Sequence, residues 1–277
     1  MSTSLNIGTL NVAVQAARKA GQVIYRFSKK LDRLKISDKG INEFVSEADL
    51  QAENAIIEII QQHFPDHAIL AEESGETQKP ASADGKSYRW IIDPLDGTTN
   101  FLHNIPQYAV SIALEVDGKL QDGVIYNPVN EELFTASRGQ GAFLNDRRIR
   151  VSQNKQLALS LIGTGFPFHA NRIQMDTYVE MFKAVMAKTS GIRRPGAAAL
   201  DLAYVACGRF EGFFEIGLKP WDIAAGALLI QEAGGMVTDL SGRDTYMQSG
   251  NILAGGIKIH AQLERLLSPY ALGLKKS

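Results

Sequence analysis

The chain of 277 residues is long enough to bury a large core, and length alone allows one large domain or two smaller ones. Hydrophobic residues make up 45% of the chain and charged residues 21%, a globular composition that excludes a long disordered tail. A formal net charge of −1 provides no long-range positive field. We therefore expect no membrane association and no direct nucleic-acid binding.

The single cysteine, Cys207, has no partner for a disulfide and lies in an apolar run, which favours a buried, inert thiol. No stretch approaches the ~20 consecutive apolar residues of a membrane span. Polar residues such as Asn11 and Gln15 interrupt the N-terminal segment too early for a signal peptide. These features predict a cytoplasmic protein.

Helical periodicity opens the chain. Apolar residues recur at helical spacing over about residues 5–31, and a second helix is predicted over about 48–63, where Phe64-Pro65 ends it. Short apolar or alternating runs then follow, separated by turn signals such as Asp117-Gly118. This pattern predicts an antiparallel sheet with strands at about 67–71, 90–92, 109–116, 123–126 and 132–137.

Beyond about residue 152, strand and helix patterns alternate. The predicted strands lie near 159–164, 212–216, 236 and 252, and the predicted helices near 173–188, 196–207, 221–233 and 259–267. No linker rich in proline, glycine or serine divides the chain, and it contains no internal repeat. We expect one domain, residues 1–277, made of two closely packed lobes at roughly 1–152 and 153–277.

The densest chemical signal is the segment 90–101, where an apolar strand ends in acidic residues. Pro94 has no N–H group and a restricted φ, so the chain can turn and present the Asp93 and Asp96 carboxylates with the Leu95 carbonyl. Three hard oxygen ligands at one point are typical of a Mg²⁺ site. Gly97-Thr98-Thr99 resembles a helix start that binds anions. An acidic turn with an aspartate helix cap would explain the same residues, and that alternative stays open here.

Further acidic residues follow short apolar strands or open helices, which are the places where α/β sheets build sites. Glu72 and Glu73 point to opposite sides of the chain, so one of them can face the metal cluster. Asp222 precedes an apolar helix, and Asp49 lies where a strand gives way to a helix. Helix capping alone would explain both aspartates.

Other patterns carry less information. Gly139-Gln140-Gly141 and Gly163-Thr164-Gly165 lack the third glycine of a dinucleotide-binding fingerprint, and we interpret both as turns. The histidines show no metal-ligand spacing and are expected to be surface or loop residues. Arg193-Arg194 fits a solvated or dimer-facing turn as well as it fits a substrate contact.

Three blocks together resemble the inositol monophosphatase family, within the lithium-sensitive, metal-dependent phosphomonoesterases. They are Glu72-Glu73-Ser74, the segment 90–101, and Trp221-Asp222-x-Ala224-Ala225-Gly226. The segments 191–204 and 213–215 look especially like the bacterial inositol-1-monophosphatases, and the resemblance covers nearly the whole chain. It implies an α/β fold, layered as an α-β-α-β-α sandwich, a homodimer, and two to three Mg²⁺ ions.

The resemblance also implies roles for individual residues. The metal ligands would be Glu72, Asp93, the Leu95 carbonyl, Asp96 and Asp222. The residues that act on the attacking water would be Asp49, Thr98 and Glu72. The substrate contacts would be Leu95, Asp96, Gly97, Thr98, Arg193, Gly196, Ala197, Glu215 and Asp222. Many relatives have serine or threonine where this chain has Ala197, so a contact there would come from the backbone.

The implied reaction is hydrolysis of inositol 1-phosphate, or a similar small polyol phosphate, by a metal-activated water. Phosphatases for nucleotide 3′-phosphates, fructose bisphosphate or histidinol phosphate would share the acidic cluster. Glu215 favours a polyol hydroxyl over a second phosphate. Some bacterial members of the family also join transcription antitermination complexes. The alternative is therefore a protein-binding accessory factor of antitermination, with a partner in the transcription machinery and vestigial or secondary phosphatase activity.

Overall fold

The structure is a computed structural model that describes residues 8–31, 36–40, 43–166 and 175–271. Eight α-helices lie within these ranges. They are α1 (Thr9–Ser28), α2 (Glu47–His63), α3 (Thr98–Leu102), α4 (Met175–Met186), α5 (Ala198–Ala206), α6 (Pro220–Glu232), α7 (Tyr246–Ser249) and α8 (Ile257–Ala271). None of these helices combines the length and the apolar character needed to cross a membrane.

The strands of the described segments form three sheets. Strand β1 (Ile36–Gly40) pairs antiparallel with β2 (Glu43–Ser46). The large sheet has the order β10-β9-β8-β7-β6-β5-β3-β4 and contains β3 (Ala68–Ala71), β4 (Gly75–Thr77), β5 (Tyr88–Asp96), β6 (Ala109–Val116), β7 (Lys119–Asn127), β8 (Glu132–Ser137), β9 (Gly141–Leu144) and β10 (Arg147–Arg148). The small sheet has the order β12-β11-β13-β15-β14 and contains β11 (Leu161–Thr164), β12 (Gly191–Arg193), β13 (Gly212–Glu215), β14 (Gly235–Thr238) and β15 (Ile252–Gly256).

The sheets and helices stack in five layers. Side chains alternate across β5, so Ile92 faces α1 and α2 while Ile91 faces the opposite way. On that opposite side, α5 and α6 fill the space between the large sheet and the small sheet. Helices α4 and α8 cover the outer face of the small sheet. The predicted α-β-α-β-α layering is therefore confirmed. Because the central cluster mixes residues from both predicted lobes, we propose that the lobes form one domain.

One strand pair of the large sheet brings distant acidic residues together. Strands β3 and β5 run parallel, with Ala71 opposite Ile92, so both strands end at the same edge. The β5–β6 pairing shifts register between Asp93 and Asp96, which places one extra residue on β5. Such a bulge re-aims the side chains around it. The residues that follow both strands therefore converge at this edge of the sheet.

Most predicted elements are confirmed within the described segments, with some corrections. The turn predicted at Gly139-Gln140-Gly141 is present, but Gly163 and Thr164 end strand β11, so the turn predicted there was wrong. The prediction that the histidines are surface or loop residues was wrong for His260, which is buried in helix α8, whereas His67 lies in the loop between α2 and β3 and is buried there. His169 lies outside the described residues. Cys207 is half-buried, and burial raises the pKa of its thiol.

Candidate active site

Three of the predicted metal ligands converge at the end of β5. The ligand oxygens of Asp93, Asp96 and Asp222 all lie within 4.8 Å of one another. Asp222 reaches this point because it lies in the first turn of α6, and the Ser111 hydroxyl of β6 donates to the Trp221 carbonyl at 3.0 Å. These three residues come from distant parts of the chain. Below, Asp93, Asp96 and Asp222 together are called the acidic cluster.

Backbone N–H groups orient each carboxylate of the acidic cluster. The Leu95 N–H donates to Asp93 at 2.9 Å, and the Lys219 N–H donates to Asp222 at 2.7 Å. Asp96 accepts the Ala199 N–H, in the first turn of α5, at 2.8 Å. Since backbone donors cannot turn away, the three side chains are held toward a common point.

Burial and mutual repulsion oppose the charges of this cluster. Asp93 is only 2% exposed. Burial raises its pKa well above the usual range, and the charges of Glu72, Asp96 and Asp222 raise it further. Burial likewise raises the pKa of Asp96 to about 7 and that of Asp222 to about 7. A divalent cation would remove this repulsion, so the donor set of buried carboxylate oxygens fits a hard metal ion.

Glu72 approaches the cluster from the end of β3. Its N–H donates to the Ile92 carbonyl at 3.1 Å, and its charge contributes to the raised pKa values of Asp93 and Asp96. The next two N–H groups, of Glu73 and Ser74, donate to the Glu53 carboxylate at 2.8 and 2.9 Å. These two hydrogen bonds to Glu53 therefore hold the turn that contains Glu72 in place.

Sequence analysis missed Glu53, which is 3% exposed on α2. The available signal was a glutamate next to Ala52 on the apolar face of an amphipathic helix, where a charge is costly unless it has partners. A second missed acid is Asp201, which lies in the otherwise apolar helix α5 and is 1% exposed. Its Oδ1 has no hydrogen-bond partner among the described residues. Burial and the charges of Asp96 and Glu215 raise its pKa.

Asp49 has two roles. One oxygen accepts the Ser46 N–H at 2.8 Å and the Ser46 hydroxyl, which completes the capping box of α2. Its other oxygen accepts the Thr98 hydroxyl at 3.0 Å. That hydroxyl also lies 3.1 Å from the Leu95 carbonyl, so Thr98 connects Asp49 to the acidic cluster. Asp49 is fully buried, and burial raises its pKa.

Gly97 brings two backbone segments together beside the acidic cluster. Its φ is +90°, a conformation that favours glycine. An added Cβ would lie 2.9 Å from the Gln107 carbonyl and 3.2 Å from both Ala197 Cβ and the Gly196 carbonyl. The Asn100 amide joins the same segments by donating to the Gln107 carbonyl at 2.7 Å. The predicted substrate residues Gly97, Gly196 and Ala197 are thus neighbours.

Glu215 ends β13 near the acidic cluster. It is 5% exposed; burial raises its pKa well above the usual range, and the Asp222 charge raises it further. The Arg194 guanidinium acts in the opposite direction and lies over the Phe166 ring, 5.2 Å from its centre. Arg193, the arginine predicted to contact substrate, is exposed and donates to the Ile192 carbonyl. The charge of Arg194 therefore acts on Glu215, and the contact of Arg193 with substrate stays a prediction.

The sequence model of the inositol monophosphatase family matches residues 8–270. The chain belongs to the inositol monophosphatase family. It is 48% identical to a Nus factor SuhB of Pseudomonas aeruginosa over 262 residues, 94% of this chain and 96% of that one. The crystal structure of extragenic suppressor protein suhB from Bartonella henselae is 50% identical, with a TM-score of 0.88 over 93% of this chain and 97% of that one. An inositol monophosphatase structure from Anabaena (Nostoc) is 41% identical, with a TM-score of 0.82 over 94% and 95%.

Membership of the inositol monophosphatase family confirms the resemblance and the fold predicted from the sequence. It indicates phosphatase chemistry of the inositol monophosphatase type. The relatives themselves divide by name into inositol monophosphatases and Nus factors. The family therefore establishes the class of reaction and leaves the substrate to be argued from the site.

Proposed function

We propose that this family member hydrolyses inositol 1-phosphate, or a similar small polyol phosphate, to the free alcohol and inorganic phosphate with Mg²⁺ as cofactor. The observation that carries the proposal is the convergence of Asp93, Asp96 and Asp222, whose ligand oxygens lie within 4.8 Å of one another, with Asp93 buried and Asp222 partly buried. Carboxylates this close together repel one another unless they are protonated or a cation binds between them.

The acidic cluster would hold the cofactor together with Glu72 and the Leu95 carbonyl, as two to three Mg²⁺ ions. Carboxylate and carbonyl oxygens are the ligands that Mg²⁺ prefers. When bound, Mg²⁺ would neutralise charge on the phosphate oxygens and acidify a water molecule. The residues of the chain then have three tasks: to orient that water, to bind the phosphate and to recognise the alcohol.

Thr98 and Asp49 would orient the water and accept its proton. The oxygen of the water would attack phosphorus, and the bond from phosphorus to the alcohol oxygen would break with its electron pair on the alcohol oxygen. That oxygen would take up a proton from solvent, and Asp49 would later return the proton it accepts to solvent. The proton of the water passes to Thr98 Oγ1, while the Thr98 proton passes to Asp49 Oδ1 across the 3.0 Å hydrogen bond. Because burial raises the pKa of Asp49, its carboxylate is a better base than an exposed aspartate.

Phosphate and alcohol would bind to neighbouring groups beside the acidic cluster. The N–H groups of Gly97 and Thr98 would bind the phosphate, as predicted for the start of α3. The backbone of Gly196 and Ala197, the carboxylate of Glu215 and the rim residue Arg193 would contact the alcohol. A nearly buried glutamate accepts a hydrogen bond from a neutral hydroxyl but repels a second phosphate, which argues against bisphosphate substrates.

Phosphate release from a substrate panel tests this proposal. The panel contains inositol 1-phosphate, fructose bisphosphate, a nucleotide 3′-phosphate and histidinol phosphate, each with and without Mg²⁺. We expect release to require Mg²⁺ and kcat/KM to be highest for inositol 1-phosphate. Release that does not depend on Mg²⁺ would reject the cofactor, and preference for a bisphosphate would reject the substrate. We also expect inhibition by lithium, a homodimer and a cytoplasmic location.

A second candidate function rests on the similarity to a Nus factor of Pseudomonas aeruginosa at 48% identity. In that case the chain would act as an accessory factor of transcription antitermination and bind a protein of the transcription machinery. Replacing wild type by Asp93→Asn in cells that need the protein separates the two roles. Full rescue by this catalytically impaired variant would favour the binding role, and failure of a stably folded variant would favour the phosphatase.

A further inference from the structure

Gly165 lies directly against the carboxyl group of Glu215. Strands β11 and β13 are parallel neighbours with Thr164 opposite Phe214, so the residues that follow each of these positions are also neighbours. An ideal Cβ built on Gly165 would overlap Oε1, Cδ and Oε2 of Glu215, and these are the three nearest heavy atoms. The space that a side chain would need at position 165 is therefore occupied by the Glu215 carboxylate.

The backbone conformation of Gly165 does not explain the glycine. Its φ lies outside the left-handed region that favours glycine, unlike that of Gly97. An alanine could adopt this backbone conformation, and the crowding would come from Glu215 alone among the nearest atoms. Glycine at 165 thus serves to leave room for one side chain.

The backbone on both sides of this contact is held in place. The Thr164 hydroxyl donates to the Phe214 carbonyl at 2.7 Å and lies 2.8 Å from the hydroxyl of Tyr178, which is fully buried. Because these bonds fix the residues just before Gly165 and Glu215, neither backbone can move apart easily. A side chain at 165 would instead turn the flexible Glu215 side chain away.

The position of the Glu215 carboxylate matters because the charges of the acidic cluster act on it. The charges of Asp222 and Asp96 both raise the pKa of Glu215. The opposing charge comes from Arg194, whose guanidinium rests on the ring of Phe166, the residue next to Gly165. The segment that contains Gly165 therefore borders both charged groups beside the cluster.

We propose that Gly165 is a positioning residue that determines substrate specificity: by having no side chain, it lets the Glu215 carboxylate lie where it accepts a hydrogen bond from a hydroxyl of a polyol phosphate. This inference rests on the proposed phosphatase function and deepens it. According to this inference, the absence of a side chain at Gly165, directly after β11, determines the preference for polyol phosphates over phosphates without a neighbouring hydroxyl.

Kinetics on two substrates test this role. The variants Gly165→Ala, Glu215→Ala and the double variant are assayed with inositol 1-phosphate and with p-nitrophenyl phosphate, which has no neighbouring hydroxyl. Loss of one hydrogen bond to a charged group corresponds to a fall of about 10- to 100-fold in the ratio of the two kcat/KM values. We expect this fall in Gly165→Ala, and we expect the double variant to match Glu215→Ala, because the added methyl group then has room.

Gly212→Ala is the matched control. It lies on the same strand as Glu215, and its Cβ would lie 2.7 Å from Leu263 Cδ1, away from the carboxylate. This variant is expected to lower the melting temperature and to leave the ratio of the two kcat/KM values unchanged. This control distinguishes a general effect of crowding near β13 from the specific effect of displacing the Glu215 carboxylate.

The outcomes divide cleanly. An unchanged ratio in Gly165→Ala, or a double variant much worse than Glu215→Ala, overturns the inference. If Gly165→Ala shows no cooperative unfolding, the double variant decides: folding with the Glu215→Ala ratio supports the inference, and failure to fold overturns it. Wild type inactive on both substrates rejects the proposed function itself. Wild type active on both, with the same ratio in Glu215→Ala, rejects only this inference.

Discussion

Strand β5 carries a buried polar cluster at each end, and the two clusters differ in character. At its start, Trp90 Nε1 donates to His67 Nδ1 at 3.0 Å, and the His67 ring stacks between Tyr88 and Phe64 at centroid distances of 4.3 and 4.7 Å. At its end, Asp93 crowds against other carboxylates. The first cluster satisfies its polar atoms within the chain, whereas the second leaves like charges facing one another.

This difference shows that burial of a polar group does not by itself indicate function. Burial lowers the pKa of His67, which keeps the ring neutral and suits its role as an acceptor. Asp239 is also buried, but hydrogen bonds from Thr245, Arg243 and Ser241 outweigh the effect of burial and lower its pKa. In the acidic cluster, by contrast, burial and neighbouring charges both raise the pKa values, and the same holds for Asp201 and Glu215 beside it. The candidate site is therefore recognised by repulsion between buried carboxylates that the hydrogen bonds of the chain do not compensate.

The largest expected effect separates the acidic cluster from a structural aspartate. Asp93→Asn removes a ligand charge, so kcat for phosphate release at saturating Mg²⁺ should fall by roughly a thousandfold. Its melting temperature without Mg²⁺ should hold or rise, because repulsion decreases. Asp239→Asn is the opposite case and should lower the melting temperature while kcat is retained. A nearly normal rate in Asp93→Asn would contradict the assignment of the cluster.

A smaller effect is expected where a structural contact supports the cluster. Glu53→Gln leaves one acceptor oxygen for two N–H groups, so the turn that carries Glu72 should loosen. The Mg²⁺ concentration for half-maximal activity should rise about 10-fold or more, as for other residues that orient metal ligands. Glu58→Gln, on the exposed face of the same helix, is the control and should change nothing. An unchanged Mg²⁺ dependence in Glu53→Gln would show that Mg²⁺ binding does not need both hydrogen bonds to Glu53.

The pH dependence of the melting temperature tests the unusual charge state of the acidic cluster without any mutation. The pKa values of Asp96 and Asp222, about 7, lie above the ordinary value, so the folded chain binds more protons than the unfolded chain between about pH 4 and pH 7. Proton binding by these two groups therefore stabilises the folded state fully below about pH 4, and this stabilisation is lost as pH rises through about 7. The metal-free protein should therefore melt at least about 3 °C lower near pH 8 than near pH 6. Mg²⁺ should abolish the difference, and a melting temperature that rises with pH would contradict it.

The smallest effect is expected at the other end of β5. His67→Phe keeps the stacking but leaves the buried Trp90 N–H without its acceptor, which costs about 1–3 kcal/mol. The melting temperature should fall by several degrees, while kcat and the Mg²⁺ dependence stay unchanged. A marked loss of activity would show that the two ends of the strand are coupled.

Much of the site could be predicted because its signals are local. The start of α2 depends on a capping box between Ser46 and Asp49. The turn predicted at Pro94 was wrong, because β5 continues to Asp96 with a bulge in its pairing with β6. Glu72 was placed correctly after a strand, whereas Asp93 lies within β5 and Asp96 ends it. Even so, the sequence left capping and catalysis as alternatives for Asp49, and the structure shows contacts suited to both.

What the sequence determined by itself was the order of the elements, their amphipathic faces and the family, because these follow from short-range spacing and motif content. Only the tertiary structure decided the partners of Glu53, the burial of Asp201 and the space at Gly165. Each of these depends on which distant segment packs against the residue. A hydrophobic pattern predicts that a face is buried, but it carries no information about the polar group on the other side.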